Sequence, residues 1–266
     1  MGNSIVYQDV SMTFGHGKST TQALERTNFE IGEQEFLMIV GPSGCGKSTL
    51  LHITAGLLKP TTGQVLLDGN PITGPGPDKA LVFQNFSLFP WKTIWENIDF
   101  GLRINGLSAP ERRERVAKYI RMTGLSGFEQ HYPRQLSGGM QQRVALARSF
   151  VMRPRVLLMD EPFAALDAQN RTLMQEELVR IWTEQQTAVL FITHAVEEAV
   201  YLADRILVMS RRPGRIKEVI DINAVTGPEH WRHRPLNDVA GDAQFQQMRH
   251  RVWDSVRAEI SSYEDA

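Results

Sequence analysis

The chain has 266 residues, 42% hydrophobic and 22% charged, with a formal net charge of -1. That length allows one large α/β domain or two small ones with a sizeable core, and nothing in the total charge points to nucleic acid or an anionic membrane surface. One cysteine, Cys45, excludes an intramolecular disulfide and fits a reducing compartment.

The first ten residues are polar and mixed, so no secretory leader is expected. The longest apolar runs, as at 36–40 and 156–159, fall far short of the ~20 residues a membrane span needs. A soluble, cytosolic protein is expected, any membrane role coming through a partner. No internal repeat or low-complexity segment appears.

In chain order, short strands are predicted at 5–10, 27–31, 36–40 and 64–67, the last entering the turn Asp68-Gly69-Asn70-Pro71. The run 36–40 is apolar without alternation, as in a strand buried on both faces of a parallel sheet. Glycines follow at once, and then a helix over 47–58. A strand at 80–84 comes after the turn Gly74-Pro75-Gly76-Pro77. Residues 94–152 read as largely helical, with one helix starting at Ala109-Pro110-Glu111 and another at Ser137-Gly138-Gly139.

Strand character returns at 156–159, 188–193 and 205–209. A turn at Arg212-Pro213-Gly214-Arg215 then leads to a strand at 216–220. Strands near both ends with helices between predict a sheet core carrying an inserted helical subdomain. Residues 224–240 have no clear periodicity. From Asp242 onward, Phe245, Met248, Val252, Val256 and Ile260 recur at helical spacing.

The segment Gly41-Pro42-Ser43-Gly44-Cys45-Gly46-Lys47-Ser48 matches G-x-x-x-x-G-K-[ST] in full, between a strand and a helix. Glycines let successive N–H groups face one anion, and the helix adds its positive end. Lys47 is placed to reach the β- and γ-phosphates, Ser48 to bind Mg²⁺ and Thr49 to support the α-phosphate. Cys45 reads as a small loop residue, because such a loop works through its backbone.

A phosphate loop needs a carboxylate for the metal and a group that polarises water. Asp160 and Glu161 end an apolar strand, at the edge where open α/β sheets bind ligands. Asp160 fits the metal role and Glu161 the general base. Without the phosphate loop the pair would read as an acidic strand cap. His194 ends another apolar strand and fits a γ-phosphate sensor.

The octet Leu136-Ser137-Gly138-Gly139-Met140-Gln141-Gln142-Arg143 resembles the signature of ATP-binding-cassette (ABC) ATPases, and other motifs of that family stand in order around it. The resemblance covers roughly residues 5–220. It implies a P-loop NTPase sheet core, an N-terminal antiparallel β subdomain and an inserted helical signature subdomain. By the same resemblance Phe14 stacks on adenine and Gln84 is the Q-loop glutamine, a metal and catalytic contact. Ala165-Leu166-Asp167 is the D-loop and His194 the switch histidine.

Ser137, Gly138 and Gly139 would offer a hydroxyl, free N–H groups and a helix dipole to the γ-phosphate held by a second copy. Two ATPs are then sandwiched in a head-to-tail dimer. Two departures stand out: Met140 where the familiar signature has glutamine, and Ala165 where the D-loop often has serine. Neither removes a phosphate ligand.

A single cassette without spans resembles an importer subunit, or fewer multi-subunit exporters. The stretch from Val82 to Trp91, Pro75-Gly76-Pro77-Asp78 and Arg212-Pro213-Gly214-Arg215-Ile216 resemble the branch importing nitrate, sulfonates and taurine. That implies a transmembrane permease, docked on Phe86, Leu88, Phe89 and Trp91, and an extracytoplasmic substrate-binding protein. It also implies a peripheral place on the cytoplasmic face of the inner or plasma membrane. The expected partition is an ATPase domain over 4–222, its helical subdomain at about 92–152, and a C-terminal extension over 223–266. Rival readings are an exporter ATPase, a non-transport ABC ATPase, and a P-loop kinase or GTPase, which leaves the octet unexplained.

Overall fold

The computed structural model describes residues 3–16, 19–185, 187–227 and 229–261. Pro228 and residues 262–266 of the expected extension lie outside the described residues. The chain forms two compact units, one of residues 1–76 and 188–266, the other of residues 77–187.

The first unit opens with a long hairpin, β1 (Asn3–His16) and β2 (Ser19–Gly32), far longer than the predicted 5–10 and 27–31. Irregular register between Asn3 and Thr13 interrupts the inside–outside alternation, so sequence pattern alone shows only its regular parts. β3 (Phe36–Val40) is buried throughout, and the phosphate loop then feeds α1 (Lys47–Thr54). α1 stops short of the expected Leu58. Gly56 turns left-handed at φ 74, where a Cβ would lie 2.3 Å from the Gly74 carbonyl.

β4 (Thr62–Leu67) and β5 (Asn70–Pro71) form a hairpin about Asp68-Gly69, both with positive φ, as a type I′ turn requires. The antiparallel sheet has the order β2-β1-β4-β5. Tyr7 of β1 stacks on Phe29 of β2 at 3.8 Å and hydrogen-bonds Thr54, tying the sheet to the end of α1.

The second unit begins with β6 (Lys79–Val82), two residues shorter at its end than expected. α2 (Ile94–Ile104) starts at a Thr93/Glu96 capping box, and α3 (Ala109–Met122) at Ser108 and Glu111. α4 (Gly138–Phe150) is capped by Ser137. β7 (Val156–Asp160) pairs parallel with β6. α5 (Ala168–Gln185) has no counterpart in the sequence expectations. Its buried Met174, Leu178, Ile181 and Trp182 stand at helical spacing, a signal strong enough to have found it.

Returning to the first unit, β8 (Ala188–Ile192), α6 (Val196–Leu202), β9 (Arg205–Met209) and β10 (Ile216–Asp221) follow. β3 lies between β8 and β9, parallel to both, and β10 pairs antiparallel with β9. The aperiodic 224–240 stretch contains two four-residue helices, α7 (Asn223–Thr226) and α8 (Leu236–Val239), too short for a stripe. α9 (Ala243–Ser261) packs on α6 and β9, in line with its apolar spacing.

A buried polar cluster anchors this C-terminal part. Arg232 pairs with Asp204 at 2.6 Å, and the other Asp204 oxygen accepts from Phe36 N–H at 2.7 Å. His230 Nε2 contacts Ala203 O at 2.7 Å and Nδ1 accepts from Arg232 N–H at 3.1 Å, which fits the neutral ring. Burial, aided by the Arg232 charge, pushes its pKa down to about 4, against the ordinary 6.5.

Between those two values the unfolded chain takes up a proton that the folded ring refuses. Stability therefore falls as pH drops from about 6.5 toward 4, by at most on the order of 3 kcal/mol. His230→Gln should flatten this loss in urea titrations at pH 7 and pH 5. An equal loss in both proteins would assign the slope to other groups.

Candidate functional site

Strand register places the candidate residues. In the first unit Ile39 of β3 lies opposite Ile192 of β8, and Thr193 N–H donates to Ile39 O at 3.2 Å. Gly41 and His194, each two residues further on, therefore leave the sheet side by side at its C-terminal edge. In the second unit Val82 of β6 lies opposite Met159 of β7. Gln84 and Glu161 likewise stand two residues beyond, with Asp160 ending β7.

The phosphate loop has the backbone its glycines predict. Gly46, the residue before α1, has φ 102, and a Cβ there would come within 2.6 Å of Leu24 Cδ2. Only glycine fits there, and the first N–H groups of α1 open into the loop. Lys47 is buried, its Nζ donating to Gly41 O at 2.8 Å and Pro42 O at 3.0 Å. Ser43, Gly44 and Ser48 are exposed, and Thr49 is half-buried.

Cys45 is enclosed, and burial raises its thiol pKa, which suits a packing residue rather than a nucleophile. Phe14, on β1, is 41% exposed, an open ring face in the same unit.

Two residues near this loop carried only a turn and a branch resemblance in the sequence. Gly214 packs so closely that a Cβ would lie 1.9 Å from Cys45 O, and Arg212 Nε donates to Gly44 O at 3.3 Å. The turn at 212–214 thus backs the phosphate loop. Local composition marks it as a turn but carries no sign of what it touches.

In the second unit Glu161 has φ 46, a left-handed conformation uncommon for a non-glycine residue, and is half-buried. Ser137 Oγ accepts from Met140 N–H at 3.3 Å, leaving Gly138 and Gly139 in the first turn of α4, where N–H groups lack helical partners. Asp167 caps α5, bonding Asn170 N–H at 3.1 Å and its side-chain amide at 2.6 Å. These bonds hold its carboxyl below the usual range. A Cβ at Gly139 would lie 3.3 Å from Asn170 Oδ1, so the Asp167 turn and the Ser137 turn adjoin.

Of the expected apolar patch, Trp91 is 71% exposed. Phe86, Leu88 and Phe89 are half-buried, Phe89 resting 4.6 Å from the Phe100 ring, so this patch is partly local packing. No helix among the described residues is long and apolar enough to cross a membrane.

The ABC transporter family pattern matches residues 24–164. The nitrate import ATP-binding protein NrtD of Synechocystis is 49% identical over 215 residues, 81% of each chain. The taurine import ATP-binding protein TauB of Pelagibacter ubique is 47% identical over 80% of this chain and 81% of its own. Among solved structures, a dimeric ATP-binding cassette in a post-hydrolysis state with ADP and Pi superposes with a TM-score of 0.71. It is 33% identical, over 82% of this chain and 98% of that one. The chain belongs to the ABC transporter ATPase family, on the nitrate, sulfonate and taurine branch, and has that family's α/β P-loop fold.

Proposed function

We propose that this ABC ATPase binds and hydrolyses ATP as the subunit energising an importer of a small anion of the nitrate, sulfonate or taurine kind. The observation that carries the reading is the paired register, which sets Gly41 beside His194 and Gln84 beside Glu161 at strand ends.

In this reading the 41–48 loop cradles the phosphates, with Lys47 on the β- and γ-oxygens and Thr49 at the α-phosphate. Phe14 stacks on adenine. Glu161 takes the proton of the attacking water, and His194 contacts the γ-phosphate. Ser48, Gln84 and Asp160 would hold Mg²⁺; hydroxyl, amide and carboxylate oxygens are the hard donors it prefers. When bound, the ion neutralises charge on the phosphates.

The Ser137, Gly138 and Gly139 turn of a second copy, with Asp167 beside it, closes over the nucleotide. Partners are that second copy, a transmembrane permease meeting Trp91, and an extracytoplasmic binding protein. The place is peripheral, on the cytoplasmic face of the membrane. The working partition is 4–222 for the ATPase, with its helical part at about 92–152, and 223–266 for the extension.

The test is reconstitution with the permease in vesicles. ATP on the cassette side should drive nitrate or taurine toward that side, and the purified chain's ATPase rate should rise with about the square of its concentration at low concentration. Anion movement the other way, or a rate per chain independent of concentration, would overturn the proposal.

A further inference from the structure

The loop that follows β6 is gripped from two helices. Asn97 of α2, fully enclosed, accepts from Phe89 N–H at 2.8 Å, and its two amide hydrogens are shared among Phe89 O at 3.2 Å, Lys92 O at 3.1 Å and Thr93 O at 2.9 Å. That fixes the far end. The near end is held by α4. Arg148 Nη2 donates to Phe86 O at 2.8 Å and Nη1 to Ser87 O at 2.7 Å. Phe86 and Ser87 are consecutive left-handed residues, φ 51 and 48, so one guanidinium receives both carbonyls of a strained turn. The same guanidinium lies 5.8 Å over the Phe89 ring, which neighbours Trp91 at 5.8 Å.

α4 is the helix that Ser137 caps. Eleven residues, roughly 16 Å of helix, separate that cap from Arg148. A planar fork making two charge-assisted bonds fixes direction as well as distance, which neither a lysine nor a neutral side chain reproduces. Burial also lowers the guanidinium pKa, the mark of a cation held out of water for these contacts.

We propose that Arg148 is a positioning residue that locks the 84–91 loop to the signature helix, so that displacement at the Ser137 end is delivered to the exposed Trp91. The transmission half rests on the proposed importer function; the locking half does not. Asn97 alone would hold residues 89–93 to α2 while leaving 86 and 87 free to turn. With Arg148 in place the loop follows α4.

The experiment compares the native chain with Arg148→Lys and Arg148→Met, using amide hydrogen exchange and ATPase rates with and without permease. In folded variants the amides of Phe86 and Ser87 should exchange about tenfold faster or more, while that of Phe89, still held by Asn97, changes little. Basal ATPase of the isolated chain should stay within about twofold, and stimulation by permease should fall about fivefold or more. Equal acceleration at 86, 87 and 89 would mean general destabilisation and overturn the proposal, as would unchanged exchange at 86 and 87. A parallel fall of basal and stimulated rates would also overturn it. A native chain that no permease stimulates counts against the importer function instead, and the exchange pattern still decides the lock. Should Arg148→Met fail to fold, Arg148→Lys carries the comparison, since it keeps the charge and loses the fork.

Discussion

Glu161→Gln is expected to lower ATP turnover by roughly 10²–10⁴-fold while leaving ATP binding intact, the range over which a positioned general base contributes. The substitution is nearly isosteric, so the backbone at φ 46 is asked to hold the same shape. What is lost is the carboxylate proposed to take a proton from water. Glutamine cannot do that, yet it can still hydrogen-bond the water and leave the phosphate contacts untouched. Without hydrolysis the closed state has no exit, and a dimer holding ATP should accumulate. Size-exclusion chromatography with ATP present should show a doubled mass for the variant, against a mainly monomeric native chain. Normal turnover by Glu161→Gln would remove Glu161 from the mechanism, and Gln84, beside it by register, would become the group to test.

Most of the parallel strands were legible in the sequence, and the reason is physical. Phe36–Val40 is apolar without alternation because both its faces are covered, and all five residues are buried. The glycines after it fit the phosphate-loop reading, since Gly46 is left-handed at φ 102, where a side chain is strained. The β1–β2 hairpin was legible only in part, because its irregular register breaks the period of two that marks a strand. α5 could have been found from its apolar stripe.

Contacts that bridge distant residues are a different matter. Arg148 reads from sequence as one more polar position on the signature helix. Its partners lie 61 and 62 residues away, and backbone carbonyls carry no mark of side-chain type. Arg212 and Gly214 behind the phosphate loop belong to the same kind. His230 and Arg232 sit in the stretch without clear periodicity, and they are enclosed because the Asp204 carboxylate and the Ala203 and Leu202 carbonyls receive them.

Lys47→Ala should act one step earlier, on binding itself. A hydrogen bond from a charged donor contributes about 1.5–3 kcal/mol, so losing Lys47 from the phosphates should weaken ATP affinity roughly 10- to 150-fold. Here Nζ is already aimed inward, 2.8 Å from Gly41 O and 3.0 Å from Pro42 O, in a buried setting where water competes little. The lysine is thus already held against the loop, and in the proposed site its charge would reach a bound phosphate without a large rotamer cost. Lys47→Arg is not a rescue, because a planar guanidinium needs more room than this enclosed position gives a single ammonium. Titration calorimetry with ATP, or fluorescence with a labelled analogue, reads the difference directly. The two substitutions then separate the halves of the mechanism: Glu161→Gln binds and does not turn over, while Lys47→Ala binds weakly and should form no ATP-loaded dimer at concentrations that saturate the native chain. Unchanged affinity in Lys47→Ala would mean that the backbone N–H groups hold the nucleotide alone, and that Lys47 serves only to brace the loop.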